Sequence, residues 1–264
     1  MSQKLPPSRI SIPRMIIDWL AQTGSYFLFL FSCFRYLPRL VHRRFELLRQ
    51  MHRIGFESLV LIAITASFTG LVTAVQAVYQ TRGYFPVQYI GVLVGKSTMM
   101  ELAPVLTALV LTGKVGASMA AEIGTMQVSE QIDALKTLGV EPVDFLYLPR
   151  IMAGIIIFPL LTIFANLIGI VSAWFFSFLR YGIYYHTFFS SLKSYFEPSD
   201  LWGGLVKSIF FGLIITSIGC YTGSRATGGA EGVGKVTTQT VVYSAIFILV
   251  MDFAVAWILF GGNG

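Results

Sequence analysis

Charged side chains are scarce in this sequence. They make up 12% of its 264 residues, whereas soluble globular domains contain about 25%. So few charges cannot cover a water-facing surface, which excludes an ordinary cytosolic enzyme and a disordered protein. Cysteine is also rare, with two residues far apart within apolar stretches, which excludes a disulfide scaffold and a C-x-x-C site. Hydrophobic residues supply 55% of the chain, and its mean hydropathy is +0.71. This composition is typical of an integral membrane protein.

Candidate catalytic residues are equally sparse. The three histidines are scattered, and no H-E-x-x-H motif or His/Asp cluster has metal-ligand spacing. No catalytic site, metal site or cofactor in this chain is therefore predicted. Residues 229–235 fit the G-x-x-x-x-G-K part of a Walker A loop, but Val236 replaces the Ser/Thr that holds Mg and no predicted strand precedes it. If ATP is used, a separate ATPase must bind it.

Long apolar runs predict five transmembrane helices, because a hydrocarbon core about 30 Å thick needs roughly 20 apolar residues per helix. The predicted spans are residues 55–80, 87–113, 147–179, 203–223 and 237–260. Fourteen Lys and Arg residues fall on one side of this arrangement and five on the other. The positive-inside rule then places the N-terminus in the cytoplasm and the C-terminus outside. The expected fold is an all-α integral membrane protein.

The N-terminal segment, residues 1–54, contains nine of the 19 Lys and Arg residues. Because these charges flank an apolar stretch, they indicate a cytoplasmic membrane anchor and not a nucleic-acid-binding arm. The apolar stretch, residues 15–34, is followed by arginines and by no small-residue cleavage site, which argues against a signal peptide. We predict an interfacial elbow helix here, with a sixth full span as the alternative. Residues 55–262 are expected to form the membrane domain.

A short amphipathic helix, about residues 126–138, is predicted between the second and third spans. Its apolar stripe comprises Val128, Ile132 and Leu135. Carboxylates on its other faces and just before it belong to Glu122, Glu130 and Asp133. Gly139 followed by Pro142 marks its end. A helix on the membrane surface would carry basic residues, so the acidic edge favours docking into a groove of a partner protein, with the surface helix as the alternative.

Glu101 lies inside the predicted second span, three residues before Pro104. A carboxylate at the bilayer centre costs about 2.5–3.5 kcal/mol, so it faces a protein interior or a wet cavity. Two interpretations remain: an ion pair with a neighbour such as Lys96, or a cavity that meets a polar group of a transported molecule. Asp252, in the last span, is expected to pair with Lys207. Glu101 and Asp252 also fit an alternative function, a proton-coupled secondary carrier that needs no ATPase.

The sequence resembles the MlaE permease family. The resemblance is carried by residues 101–117, 121–126, 129–135, 148–150, 200–208, 237–242 and 252–253, and it extends over roughly residues 35–262. It implies the permease subunit of an ABC transporter that moves lipids, typically phospholipids, between the inner membrane and a periplasmic MCE-protein assembly. The implied partners are a cytoplasmic ABC ATPase that binds ATP and Mg, an MCE-domain lipid-binding protein, a second copy of the chain, membrane lipids and, optionally, a small cytoplasmic accessory subunit.

The resemblance also implies two groups of functional residues. The family's coupling helix matches the segment at about residues 122–138, which implies ATPase-coupling roles for Glu122, Gly124, Thr125, Met126, Glu130, Gln131, Asp133 and Leu135. The family's lipid cavity, between two permease copies, implies lining roles for Glu101, Gln76, Tyr79, Tyr84, Lys96 and Met100. One position departs from the family pattern, because Met100 stands where an arginine is usual. Lys96, one turn earlier, is the candidate replacement cation.

Overall fold

Helices dominate the computed structural model, which describes residues 12–81 and 89–261. No β-strand occurs within these two ranges, in agreement with the predicted all-α class. The α-helices of the described residues are α1 (Ile12–Arg35), α2 (Arg44–Gly55), α3 (Leu59–Thr81), α4 (Ile90–Ser97), α5 (Ala103–Leu111), α6 (Ala117–Val128), α7 (Gln131–Thr137), α8 (Leu148–Tyr181), α9 (Tyr185–Tyr195), α10 (Pro198–Gly223) and α11 (Gly229–Phe260).

Five helical stretches of the described chain are long and apolar enough to cross a membrane, which confirms the predicted spans. They are Arg44–Gln80, Ile90–Val128, Val143–Tyr181, Pro198–Gly223 and Gly229–Leu259. Each extends beyond its predicted run at one end or both, because backbone hydrogen bonding continues through polar residues that hydropathy leaves out. The second span is one continuous helix in which π-helical turns join α4 to α5 and α5 to α6.

Helix α8 lies at the centre of the bundle, with α2, α3 and α10 packed around it. Glycines allow these close contacts: a methyl group at Gly70 of α3 would collide with the carbonyl oxygen of Gly169, and one at Gly212 of α10 would lie 2.6 Å from that of Gly154. Lipid tails are as apolar as the side chains, so such van der Waals packing contributes more to helix association in a membrane than burial from water does.

The two ends of the bundle carry different elements. The end that carries α2, α7 and the connection at residues 224–228 is called the basic end. The opposite end carries α9, a helix that the sequence did not predict, and is called the α9 end. Here α9 packs on α4, where methyl groups at Gly91 and Gly95 would collide with the backbone of Phe188 and the side chain of Leu192.

Helix α1 packs against the C-terminal part of α10. Its Tyr26 hydroxyl lies 2.7 Å from the hydroxyl of Ser217, and Tyr221 donates a hydrogen bond to the carbonyl of Gln22 at 3.0 Å. Cys33, eleven residues beyond Gln22 and so about 16 Å along α1, still belongs to the apolar cluster that contains Cys220. Helix α1 is not among the helices of the described chain that are long and apolar enough to cross a membrane, and its interfacial position stays a prediction.

Candidate functional site: a buried lysine between two carboxylates

A lysine of α10 connects two carboxylates within the predicted spans. Lys207 donates a hydrogen bond from Nζ to Oε1 of Glu101 at 2.5 Å, and the same nitrogen lies 2.9 Å from Oδ1 of Asp252. The Lys207 side chain is 0% exposed, whereas those of Glu101 and Asp252 are 43% and 22% exposed. We call these three residues the Lys207 triad. Its formal charge is −1, and the carboxylate of Glu101 is its most accessible group.

Local backbone geometry brings the triad together. Glu101 lies in the π-helical turn Thr98–Leu102, which widens the second span just before Pro104. Gly204 of α10 approaches this turn so closely that a methyl group would collide with the carbonyl oxygen of Met99. Lys207 lies one helical turn after Gly204, so its side chain reaches Glu101.

The triad confirms one predicted ion pair and overturns another. The pairing of Asp252 with Lys207 is confirmed. The interpretation that Glu101 pairs with a lysine holds, but Lys96 as the partner is wrong, because Lys207 occupies that position and Lys96 contacts carboxylates of α10. Lys96 instead lies 3.3 Å from Asp200 and 3.7 Å from Glu197, at the N-terminus of α10.

Sequence reasoning missed the contact between Glu101 and Lys207. A signal was available, because Lys207 is a lone charge within the predicted fourth span and therefore needs a partner. Three carboxylates lie in the predicted spans, Glu57, Glu101 and Asp252, and the sequence-based prediction pairs only Asp252 with Lys207. Glu101 and Lys207 are 106 positions apart in the sequence, so no local sequence pattern indicates this contact.

The other predicted cavity residues occupy two helices. Gln76 and Tyr79 are exposed on α3, with Tyr79 75% exposed, and Met100 is half-buried beside Glu101. Tyr84 lies outside the described residues. Whether Gln76 and Tyr79 share one cavity with Glu101 depends on a second copy of the chain, so their lining role stays a prediction.

A second charged cluster occupies the basic end. Glu122 of α6 accepts hydrogen bonds from Arg53 of α2 at 2.6 Å and from Arg150 of α8 at 2.7 Å. The Arg150 side chain is 5% exposed and also donates to the carbonyl of Leu146 at 2.8 Å. Glu122 thus ties three helices together inside the chain. We call this cluster the Glu122 bridge.

The predicted coupling residues divide into an inward and an outward group. Gly124 packs against Ala226 in the 224–228 connection, and Met126 packs on the apolar cluster of Ile132. Leu135 is half-buried. The exposed group comprises Thr125, Glu130, Gln131 and Asp133. These exposed side chains form a polar surface at the basic end that a partner can reach.

The helix in this connection is shorter than predicted. Glu130 has a left-handed φ of 58° and separates α6 from α7, so the predicted helix at 126–138 is in fact two helices. Val128, at the end of α6, therefore does not share a continuous stripe with Ile132, which is buried. The predicted end is confirmed, since Gly139 has φ +74° and its N–H bonds the carbonyl of Lys136.

The Walker-like segment at residues 229–235 begins helix α11 and does not form a loop. In a P-loop the glycine-rich segment precedes the helix, and its backbone N–H groups surround the phosphates. Here the segment itself forms the first two turns of the helix. At this segment the structure therefore lacks the loop of a Walker A motif.

Comparison with known proteins identifies the family. The sequence model described as "Permease MlaE" matches residues 47–258. A probable ABC transporter permease protein of Synechocystis is 39% identical over 242 residues, 92% of this chain and 89% of the relative. The Arabidopsis thaliana chloroplastic protein Trigalactosyldiacylglycerol 1 is 37% identical over 230 residues, 87% of this chain and 65% of the relative.

A third relative has a more explicit name. The intermembrane phospholipid transport system permease protein MlaE of Haemophilus influenzae is 31% identical over 255 residues, 96% of this chain and 97% of the relative. The five spans and these matches together indicate a multi-pass inner-membrane protein. The chain belongs to the MlaE permease family of ABC transporter permeases.

Proposed function

We propose that this chain is the permease subunit of an ABC transporter that moves lipids, in the first place phospholipids, between the inner membrane and a periplasmic MCE-protein assembly. A separate ATPase binds ATP and Mg and drives the movement. The basic end and the N-terminus face the cytoplasm, and the α9 end and the C-terminus face the periplasm. Two copies of the chain enclose an outward-opening cavity for the lipid.

The accessible carboxylate of Glu101 is the observation that carries this proposal. Its side chain is 43% exposed on a single chain, although it lies within a membrane span. A carboxylate in that position does not face lipid tails, because the cost of burying it there is too high. A second copy that faces it across a cavity resolves the conflict. A lipid headgroup is a polar ligand that such a cavity can hold within the membrane.

The exposed residues of α7 support a separate ATPase. Glu130 and Asp133 project from the basic end, and Glu122 anchors the preceding helix to α2 and α8. A partner that binds α7 and moves it therefore also moves α6, which Glu122 connects to α2 and α8. ATP binding in that partner would squeeze the cavity and expel the lipid.

The coupling role is tested in proteoliposomes that contain the complete transporter. Glu130→Lys and Asp133→Lys reverse the charge of the exposed surface, so ATP hydrolysis is expected to continue while lipid transfer is lost. Glu231→Lys is the matched control, because Glu231 is an exposed acid at the same end in the first turn of α11. Lipid transfer that stays coupled in both α7 variants contradicts the assignment.

The cavity role is tested by lipid co-purification. Glu101→Arg replaces the accessible carboxylate by a cation, and the amount or kind of lipid that remains bound through purification is expected to change. Mass spectrometry of extracted lipids measures both. If bound lipid is the same as in the unmodified protein, Glu101 does not line the cavity.

Proton-coupled transport is the competing function, and vesicles that contain this chain alone distinguish it. The proposal predicts no lipid movement in these vesicles under a pH gradient. Movement that follows the gradient without any ATPase assigns Glu101 and Asp252 to a secondary carrier instead. Co-purification of a Walker-type ATPase with the chain from detergent extracts supports the ABC assignment.

A further inference from the structure

The charges around Glu101 are unusual for a site that holds a lipid phosphate. A phosphate is best bound by arginine or lysine side chains that remain free to contact it. Lys207 is fully buried and contacts two carboxylates, so its charge is already more than balanced within the triad. The residue next to Glu101 is Met100, which carries no charge.

The neighbouring lysine of the same span is engaged as well. Lys96 lies 3.3 Å from a carboxylate oxygen of Asp200 and 3.7 Å from one of Glu197. Asp200 is held in place by a hydrogen bond from the backbone N–H of Glu197 at 3.1 Å, within the capping box of α10. The side chain of Asp200 is 4% exposed and that of Lys96 is 31% exposed, so the pair is partly shielded from water. Two acids therefore surround one lysine here too.

An ionised carboxylate accepts hydrogen bonds and cannot donate them. A ligand that meets Glu101 must therefore supply N–H or O–H groups. A headgroup with net negative charge would meet like charge at short range, which is unfavourable in a site of low dielectric constant. Headgroups with ammonium or hydroxyl donors and no net charge satisfy both conditions.

We infer that the Lys207 triad selects lipids whose headgroups are neutral overall and present N–H or O–H donors, and that it disfavours anionic headgroups. This inference rests on the proposed lipid cavity. Glu101 is the specificity-determining residue. Met100 beside it is uncharged and supplies no cation that could hold an anionic headgroup. Ethanolamine and sugar headgroups share the required chemistry, through an ammonium group and through hydroxyl groups respectively.

Among the described residues, Lys193 offers an alternative positive charge beside the second span. It is exposed on α9 and lines a groove with Met99, Phe189, Leu192 and Phe196. A phosphate in that groove could contact Lys193 without approaching Glu101. The experiment therefore needs a variant at this position as well as variants within the second span.

The test offers one equimolar lipid mixture to the complete purified transporter in detergent. The mixture contains phosphatidylethanolamine, phosphatidylcholine, monogalactosyldiacylglycerol and phosphatidic acid, and mass spectrometry measures what each protein retains. The unmodified protein is expected to retain the ethanolamine lipid or the galactolipid over phosphatidic acid on the order of tenfold, the effect of about one charge-assisted hydrogen bond. The ratio of these two lipids identifies the favoured donor. Phosphatidylcholine, which lacks such donors, is expected to be retained less than either.

Two substitutions then move the preference in defined directions. Met100→Arg adds a free cation beside Glu101, so the share of phosphatidic acid is expected to rise on the order of tenfold. Met100→Gln keeps the length of the side chain without the charge, and it is expected to show the original preference. Glu101→Gln removes the carboxylate, so the advantage over phosphatidylcholine is expected to fall.

The outcomes separate this inference from the proposed function. Phosphatidic acid as the main lipid of the unmodified protein, or a headgroup ratio that Met100→Arg does not change, overturns the inference alone. If the unmodified protein retains phosphatidic acid and Lys193→Gln abolishes that retention, the inference is also overturned, because the cation that selects the headgroup is then on α9. Equal retention of all four lipids by the unmodified protein and by Glu101→Gln and Glu101→Arg overturns the cavity itself, and the inference with it.

Discussion

Replacing Lys207 by methionine tests the triad most directly. The change removes the ammonium group that lies 2.5 Å from an oxygen of Glu101 and 2.9 Å from one of Asp252. Methionine is flexible and about as long, so the packing around the buried site changes little. The carboxylates then face each other across roughly 5 Å, where two like charges repel by about 3 kcal/mol at an effective dielectric constant of 20. Loss of one partner from a buried ion pair costs about 3–5 kcal/mol, in agreement with this figure.

Thermal unfolding of the purified protein in detergent measures the effect. A loss of about 3 kcal/mol is expected to lower Tm by roughly 6–12 °C, at 2–4 °C per kcal/mol for a chain of this size. Lys193→Met is the matched control, because Lys193 is exposed on α9, and its Tm is expected to stay within about 2 °C of the original. Gel filtration after heating follows the loss of folded protein at each temperature.

A triple variant separates charge from packing. Glu101→Gln, Lys207→Met and Asp252→Asn together remove every charge of the triad while the shapes of the side chains are kept. Replacing all members of a buried ionic group is often nearly neutral, so the triple variant is expected to recover most of the lost stability. A single variant as stable as the original, or a triple variant as unstable as the single one, would refute the electrostatic account of the site.

Three further predictions concern other parts of the bundle. Arg150→Met removes the most buried member of the Glu122 bridge and is expected to lower the free energy of unfolding by about 3 kcal/mol. Its control is Arg49→Met, at an exposed i,i+3 pair, which is expected to change that free energy by less than 1 kcal/mol. Thermal unfolding compares the two variants. Burial raises the pKa of the Cys33 thiol to about 12, so at pH 8 its maleimide reaction in a variant with no other cysteine is expected to be roughly a thousandfold slower than after unfolding. Gly212→Ala pushes α10 against the backbone of α8 and is expected to destabilise by about 1–3 kcal/mol, whereas Gly234→Ala, which has open space around it, is expected to be tolerated in the same assay. Equal stability of Arg150→Met and Arg49→Met, or of Gly212→Ala and Gly234→Ala, would contradict these expectations. So would a Cys33 thiol that reacts as fast in the folded protein as in the unfolded one.

Local chemistry was sufficient to predict the spans and the end of α7. The spans are long apolar runs, and the membrane makes a helix the only element that satisfies their backbone groups. Gly139 ends α7 because its left-handed φ lets its own N–H and that of Val140 bond the last helical carbonyls. Neither prediction needed information about distant residues.

The predictions that failed depend on how separate helices pack. Lys96 was paired with Glu101 from sequence spacing alone, yet the capping box of α10 places Asp200 closer to it. The left-handed Glu130 has no clear sequence signal, since that conformation is typical of glycine and asparagine. The π-helical turns of the second span lie in contact with α10, and no hydrophobic periodicity in the sequence indicates where they occur.

The second span connects the two charged clusters within one helix. Glu101 and Glu122 are 21 residues apart on the continuous stretch Ile90–Val128, a distance of about 30 Å along its axis. The π-helical turn Thr112–Gly116 lies between them, and π turns are where a helix can change its hydrogen-bond register. A force applied at α7 reaches α6 directly, while the Glu122 bridge holds α6 to its neighbours. Since Lys207 is on a different helix, we expect a shift of the second span relative to α10 to alter the contact between Lys207 and Glu101. Under the proposed function, the exposure of that carboxylate, and with it the affinity for a lipid headgroup, is the property that we expect a partner at the basic end to control.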